Sequence, residues 1–332
     1  MAIRNMNKPI LSICIATYNR GDYIGETLNS IIPQLDDDVE LLVVDGASTD
    51  KTQSVVGAFA NKNSRIRYVY LSSKGGVDQD YDKAVEFARG EFCWLFTDDD
   101  LLKPGAVAAV KKAITEGYDL VVVNGEERDI SLSTIVESRR VIAREDKVYS
   151  PGDFDRFFVD MAKHLSFIGS VVIRRYVWLG RDRASYFGTE FVHVGVIFQK
   201  KIATPVFFIA YPYITIRLGN SQWTPRSFGI WMFKWPKLIW SFNEISSEAK
   251  QRITNREPWR KFRNLIIQRR VGGYNIQSYR LYLSKLKTNP SWKSVALVIA
   301  IFPVGIISPV FDFLLQRRRD ERTRRITVRS SE

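Results

Sequence analysis

The chain has 332 residues but only two cysteines and two histidines. Cys14 and Cys93 both lie inside apolar runs. That excludes a disulfide framework or a cysteine metal site and reads as small core residues in a reducing compartment. An uninterrupted apolar stretch is missing too. Val295 to Phe311 is nearly uncharged, yet at about 17 residues it falls short of the roughly 20 that a clean span requires. Pro303 and Pro309 interrupt it further, so a re-entrant or interfacial segment is expected rather than a transmembrane helix. The opening, Met1-Ala-Ile-Arg-Asn-Met-Asn-Lys8-Pro9, has no apolar signal-peptide core, and the folded region is expected to stay in the cytoplasm. No internal repeat is present. Hydrophobic content of 45% and charge of 26% exclude a disordered chain.

Acidic residues are scarce in one place. From Lys250 to Glu332 there are 19 Lys and Arg against 5 Asp and Glu. The rest of the chain is close to neutral, so the whole excess of +13 comes from this tail. Such asymmetry speaks to partners rather than to fold.

What is present begins with short β-branched runs. Leu11 to Thr17, Val39 to Asp45, Ile66 to Leu71, Glu91 to Phe96 and Asp119 to Asn124 read as buried strands. Helical spacing appears between them, from Ile24 to Ile32, Lys51 to Asn61, Asp80 to Arg89 and Leu101 to Thr115, the last with Pro104 near its first turn. From Asp153 to Gln199 the pattern continues as helix, strand (Ser170 to Arg174), polar loop and helix. Strands alternating with helices of this length predict an α/β fold with a mostly parallel, doubly wound sheet. Two regions follow: 1–220, with halves 10–125 and 126–220, and a helical, basic, aromatic-rich 221–332 that contains the apolar segment 295–315.

The chemistry concentrates at strand ends. Phe92-Cys-Trp-Leu-Phe-Thr-Asp98-Asp99-Asp100 runs from a buried strand into three carboxylates. That much like charge at one strand tip is costly unless a cation neutralises it, and hard divalent ions share oxygen ligands with phosphates. A carboxylate cluster at the C-terminal end of an α/β strand also lies where such sheets bind ligands. It reads as a metal–diphosphate site; a simple helix N-cap is the plainer alternative. Thr17-Tyr18-Asn19-Arg20 and Asp45-Gly-Ala-Ser-Thr-Asp50 put polar loops on adjacent strand ends. A carboxylate there can accept from a base imide or ribose hydroxyls, while turn chemistry alone also accounts for these residue types. The loop Lys74-Gly75-Gly76-Val77-Asp78-Gln79 runs into an acid-loaded helix start. It suits both the helix dipole and a loop that touches nucleotide through Lys74, Gly76, Asp78 and Gln79.

Residues 10 to about 125 resemble a family 2 glycosyltransferase with the GT-A nucleotide-diphospho-sugar fold. Leu11-Ser-Ile-Cys-Ile-Ala-Thr-Tyr-Asn-Arg20 is similar to the family's opening strand and loop. Val43-Val-Asp45-Gly-Ala-Ser-Thr-Asp50 is similar to its VDxxSxD segment, and Ala88-Arg-Gly90-Glu with Leu95-Phe-Thr-Asp98-Asp-Asp100 to the run into its DxD motif. Within the family the chain resembles the abequosyltransferase-like enzymes of bacterial O-antigen assembly. The resemblance implies that Asp45 contacts the base, that Asp98 and Asp100 frame a Mn²⁺ or Mg²⁺ diphosphate, and that the sugar's anomeric carbon is inverted.

Inversion calls for a general base on the acceptor hydroxyl. The family's usual Glu-Asp pair is missing from Gly188-Thr-Glu190-Phe-Val-His193. The best register puts His193 near the expected carboxylate and Glu190 one turn earlier, although a buried, hydrogen-bonded histidine fits the same pattern; His164 reads as structural. The basic tail suits anionic lipid headgroups or nucleic acid, and the proline-broken apolar run favours lipid. The expectation is a membrane-associated, metal-dependent inverting glycosyltransferase on the cytoplasmic face of the inner membrane. It would take a nucleotide-diphosphate sugar and a lipid-linked saccharide acceptor. The alternatives are a nucleotide-sugar-binding assembly protein without catalysis and a basic nucleic-acid-binding protein.

Overall fold

The computed structural model describes residues 8–303. Within them the chain divides into two compact units, 8–220 with 238–254, and 221–237 with 255–303.

The first unit is built on a mixed sheet. Its strands are β1 (Leu11–Thr17), β2 (Val39–Asp45), β3 (Ile66–Tyr70), β4 (Phe92–Phe96), β5 (Leu101–Leu102), β6 (Leu120–Arg128), β7 (Ile135–Glu137), β8 (Lys147–Tyr149), β9 (Val171–Arg174) and β10 (Val206–Arg217). Their order is β3-β2-β1-β4-β9-β6-β10-β5, with β7 on β6 and β8 on β10. The half formed by β3, β2, β1 and β4 is parallel, with Thr17 paired to Asp45 at its C-terminal rim. β9 runs antiparallel to both β4 and β6, and β10 returns parallel to β6.

Helices α1 (Ile24–Ile31), α2 (Thr52–Ala60), α3 (Val77–Phe87), α4 (Ala106–Thr115), α5 (Phe154–Met161), α6 (Arg175–Leu179) and α7 (Val192–Phe198) also belong to this unit. The parallel strands are apolar along nearly their whole length because helices cover both faces. Ile24, Leu28 and Ile31 of α1 pack with Leu11, Ile13, Val43 and Phe92 in one core. Each such side chain contributes roughly 1.5–3 kcal/mol as an upper figure.

One predicted element is corrected. The helix expected from Leu101 begins at Ala106, and Leu101–Leu102 pair antiparallel with Thr215 and Ile214. Pro104 drives the preceding residue away from helical dihedrals, and Gly105 takes a left-handed φ of 83° as the helix cap. The two leucines therefore join the sheet. Helix α3 starts three residues earlier than its spacing suggested, with Gly76 at φ 91° just before it.

Residues 238–254 pack within the first unit, where Asp155 accepts the Ser246 N–H at 3.1 Å and Glu244 the Lys201 N–H at 2.9 Å. The second unit gathers Phe228, Trp259, Leu265, Tyr274, Leu283, Ala296 and Ala300 around its own core. Its helix Pro290–Ile301 turns Ala296 and Ala300 inward and leaves Val295, Val298 and Ile301 exposed. Of the apolar segment 295–315, residues 304–315 lie outside the described residues. So does the Arg-rich run beyond it. Among the described residues no helix is long and apolar enough to cross a membrane.

Candidate functional site

The loops after β1 and β2 are sewn into one rim. The Gly46 N–H donates to the Thr17 carbonyl at 2.9 Å, and the Asn19 N–H to the Ser48 hydroxyl at 2.8 Å. Asn19 Oδ1 accepts the Thr49 N–H at 2.8 Å, while Asp50 accepts the Gly21 N–H at 3.0 Å. Asn19 and Ala47 both hold positive φ, 53° and 66°. Two non-glycine residues in left-handed backbone at adjacent strand ends are over-determined by this stitching, a pattern that clusters at ligand sites.

Asp45 does not project from the rim. It is fully buried; its Oδ2 accepts the Tyr68 hydroxyl at 2.7 Å and its Oδ1 the Ser48 N–H at 2.7 Å. Each oxygen accepts one hydrogen bond and keeps a lone pair, so this bracing does not decide the expected contact with a base. Burial, with Asp45 beside it, pushes the Tyr68 hydroxyl up and keeps it protonated.

The acidic tip of β4 meets the rim through Arg20. Its guanidinium reaches Asp99 at 2.9 Å, Asp98 at 3.4 Å and the Asn220 carbonyl at 3.0 Å. Asp99 Oδ2 also accepts the Asn220 amide at 2.7 Å, so Asp99 faces these two partners. Asp100 accepts the Arg217 N–H at 2.7 Å and the Thr97 hydroxyl. Burial raises all three carboxylates. It moves Asp98 to about 7, with repulsion from Asp99 adding to it and Arg20 opposing. Asp100 goes up through burial and then Asp99, with Thr97 and Arg217 opposing. Asp99 goes up less freely because Arg20 and Asn220 hold it down.

Arg217, Asn220 and Thr97 were not singled out in the sequence. Arg217 and Asn220 enter from β10 and the loop after it, more than a hundred residues along the chain. No local motif marks them; only a lone arginine ending an apolar strand hints at the role.

The loop before α3 closes a second side. The Lys74 ammonium lies 3.4 Å from the centroid of the Tyr18 ring, and the Tyr81 hydroxyl donates to the Phe96 carbonyl at 2.9 Å. The start of α3 is thereby fixed over the β4 tip. Asp78 turns elsewhere: its oxygens accept the Glu190 and Val192 N–H groups, each at 2.9 Å. It caps the start of α7, so its predicted nucleotide contact is corrected. Gln79 is exposed and lines a cleft of about 520 Å³ with Asp82, Arg183 and Phe187.

The two candidate bases separate. His193 is buried, with Nε2 at 2.7 Å from the Leu165 carbonyl. That contact requires Nε2–H, and Nδ1 is left without a hydrogen-bond partner among the described residues. Burial pulls its pKa down to about 4. A residue sealed in the core cannot take a proton from an acceptor, and the expectation for His193 is corrected. Glu190 is partly exposed, in left-handed backbone at φ 73°.

The oxygen donors at the β4 tip suit a hard divalent cation. Three carboxylates share this tip, and burial first, with repulsion from neighbouring carboxylates at Asp98 and Asp100, raises their pKa values. Among the described residues no three His, Cys, Asp or Glu side chains converge on one metal position. The arrangement fits an ion held by one or two carboxylates and completed by phosphate oxygens and water.

The model of Glycosyl transferase family 2 matches residues 12–180, just over half the chain. The chain belongs to that family. It is a glycosyltransferase with an α/β fold. Abequosyltransferase RfbV of Salmonella typhimurium is 29% identical over 231 residues, 65% of this chain and 69% of that protein. The GalNAc(5)-diNAcBac-PP-undecaprenol beta-1,3-glucosyltransferase of Campylobacter jejuni is 33% identical over 117 residues, 35% of this chain and 38% of that protein. The solved structure of S. aureus TarS 1-349 with UDP-GlcNAc superposes at a TM-score of 0.54 and 15% identity, covering 87% and 81% of the two chains. At that identity the likeness shows the fold alone.

Proposed function

We propose that this family 2 glycosyltransferase moves a sugar, with inversion, from a nucleoside-diphosphate donor to a lipid-linked saccharide in bacterial surface polysaccharide synthesis. The observation that carries this reading is the buried Asp98–Asp100 tip set against the sewn β1–β2 rim. The relative whose name includes PP-undecaprenol motivates the lipid-linked acceptor, and the abequosyltransferase motivates a deoxysugar donor.

Asp98 and Asp100 would hold a Mn²⁺ or Mg²⁺ ion, which supplies positive charge to the departing diphosphate. Thr97 and the Arg217 N–H fix the Asp100 carboxylate, while Arg20 keeps Asp98 and Asp99 from separating. Glu190 takes the proton from the acceptor hydroxyl. That oxygen bonds to the anomeric carbon as the bond from carbon to phosphate oxygen breaks on the opposite side, and the nucleoside diphosphate leaves with the electron pair. Asp78, holding the Glu190 N–H, orients this base.

On this reading the enzyme would work at the cytoplasmic face of the inner membrane, where a lipid-linked acceptor would meet a nucleotide-sugar donor. The basic segment from Lys250 and the exposed Val295, Val298, Ile301 and Phe302 support association with an anionic surface. Nucleic acid would be drawn by the same charge, but these exposed apolar side chains favour lipid.

A transfer assay with a panel of donors and a diphosphoundecaprenyl saccharide tests the proposal. Wild type is expected to turn over with Mn²⁺, and Glu190→Gln to lose at least a hundredfold in kcat with donor affinity kept. Donor binding without turnover in the wild type would reject it.

A further inference from the structure

The cleft lined by Gln79 and Phe187 lies between α3 and the loop that joins α6 to α7. At about 520 Å³ it falls among ordinary ligand clefts, roughly 300–1,000 Å³. Its two walls belong to the two elements that hold the candidate base. From α3, Asp78 accepts the Glu190 N–H at 2.9 Å, and Gln79 follows it directly. The opposite wall ends at Phe187, and Glu190 stands three residues further on. The cleft is thus framed by the same chain segments that place Glu190.

Both walls are pinned. Arg183 Nε lies 2.7 Å from Asp82 Oδ1, and a terminal nitrogen lies 3.7 Å from Glu86, tying the loop to α3. The Trp178 indole N–H donates to the same Asp82 oxygen at 2.8 Å. Arg181 donates to the Val196 carbonyl at 2.7 Å and the Lys201 carbonyl at 2.8 Å, which fastens the loop to the end of α7 and the residues after it. Gly195 of α7 has no Cβ, and one there would stand 2.2 Å from the Tyr186 ring. The loop sits directly on helix backbone, so the cleft is a fixed feature of the unit.

The lining selects among ligand classes. Three basic and three acidic side chains line it, so their charges cancel. A diphosphate or a nucleic acid calls for a cationic surface, and a polyprenyl tail for a continuous apolar one. Here the Gln79 amide, the Glu86 carboxylate and the Lys83 ammonium offer both donors and acceptors. Lys83 and Glu86 pair at 2.9 Å on an exposed helix turn, a contact of little worth in water that hydroxyls can replace. The Phe187 ring, half-buried, lines the same cleft. A saccharide presents the matching chemistry: hydroxyls that donate and accept, and a C–H face that rests on an aromatic ring. We propose that this cleft binds the acceptor's saccharide, the sugars behind the reacting one, with Phe187 under a ring and Gln79 and Glu86 on its hydroxyls. The inference rests on the glycosyl-transfer reading and on Glu190 as its base.

Steady-state transfer kinetics of the full chain test it, with diphosphoundecaprenyl mono-, di- and trisaccharides as acceptors and Mn²⁺ present. Ala184→Trp fills the cleft from an exposed loop position. It is expected to raise the acceptor KM about tenfold or more while the donor KM stays within about twofold. Phe187→Ala is expected to act in the same direction, and Phe187→Tyr, which restores an aromatic ring, to return the acceptor KM to the wild-type value. An Ala184→Trp enzyme with the wild-type acceptor KM overturns the inference and leaves the proposed transfer standing. A donor KM that rises as much as the acceptor KM also overturns it, because the cleft would then not be the acceptor's own. If Ala184→Trp does not fold by circular dichroism, the Phe187 pair decides in its place. Loss in Phe187→Ala with recovery in Phe187→Tyr supports the inference, and a wild-type acceptor KM in both overturns it. A wild type that transfers to none of these acceptors removes the proposed function itself, and the inference with it, before any substitution is made.

Discussion

At the scale of single residues, Asp78 and the two histidines show how a chemically suggestive side chain is taken over by structure. The two oxygens of Asp78 satisfy N–H groups at the start of α7 that have no partner within the helix. Asp78→Ala is expected to cost about 2 kcal/mol in urea unfolding, with Asp78→Asn in between because one acceptor survives. His193 and His164 are buried and neutral, their pKa values pulled by burial to about 4 and about 3. In the unfolded chain both return to about 6.5. Below that pH the unfolded state binds more protons than the native state, so stability intact above pH 6.5 drains away as pH falls toward 4. His193→Gln keeps a donor for the Leu165 carbonyl, and its stability is expected to fall less steeply across that window. Equal slopes for variant and wild type would contradict a buried neutral His193.

At the scale of elements, the parallel half of the sheet was legible because each strand is a short, buried, β-branched run with its loop residues beside it. The acidic tip of β4 and the polar ends of β1 and β2 were legible for the same reason: sequence neighbours there are site neighbours. What escaped was everything assembled from a distance. Two leucines carry no strand pattern of their own and become β5 only because Ile214 and Thr215 arrive to pair with them. Arg217 crosses from β10 to the Asp99 carbonyl at 3.1 Å, the Ile130 carbonyl at 2.7 Å and Glu26 at 2.6 Å. The commitment of Asp45 to Tyr68 depends on β3 lying beside β2, which the VDxxSxD pattern does not encode. Two substitutions examine these joints by denaturant unfolding. Gly105→Ala, forced to hold φ 83°, is expected to lose about 1 kcal/mol. Arg217→Met, which removes a buried guanidinium together with these three hydrogen bonds, is expected to lose about 2–3 kcal/mol.

At the scale of the whole molecule, charge is separated along the chain: a near-neutral stretch through residue 249 and a tail that holds the entire excess of +13. Binding to phosphatidylglycerol vesicles is expected to weaken steeply as salt rises, since each near-surface basic residue contributes about 1 kcal/mol and screening removes it. Val298→Asp with Ile301→Asp should weaken it at every salt concentration, because apolar contact is insensitive to screening. Vesicle binding indifferent to both would leave the membrane surface without support.

The account as a whole depends on the Asp98–Asp100 tip gripping a divalent ion together with a sugar nucleotide's phosphates. The direct measurement is the shift in unfolding temperature produced by a saturating nucleoside diphosphate, with Mn²⁺ and with EDTA, in wild type and in Asp98→Asn/Asp100→Asn. The account predicts a clear rise in wild type with Mn²⁺, since ligand at a hundred times its Kd adds about 2.7 kcal/mol. It predicts little or no rise with EDTA or in the double variant. An equal rise in all of these would contradict it.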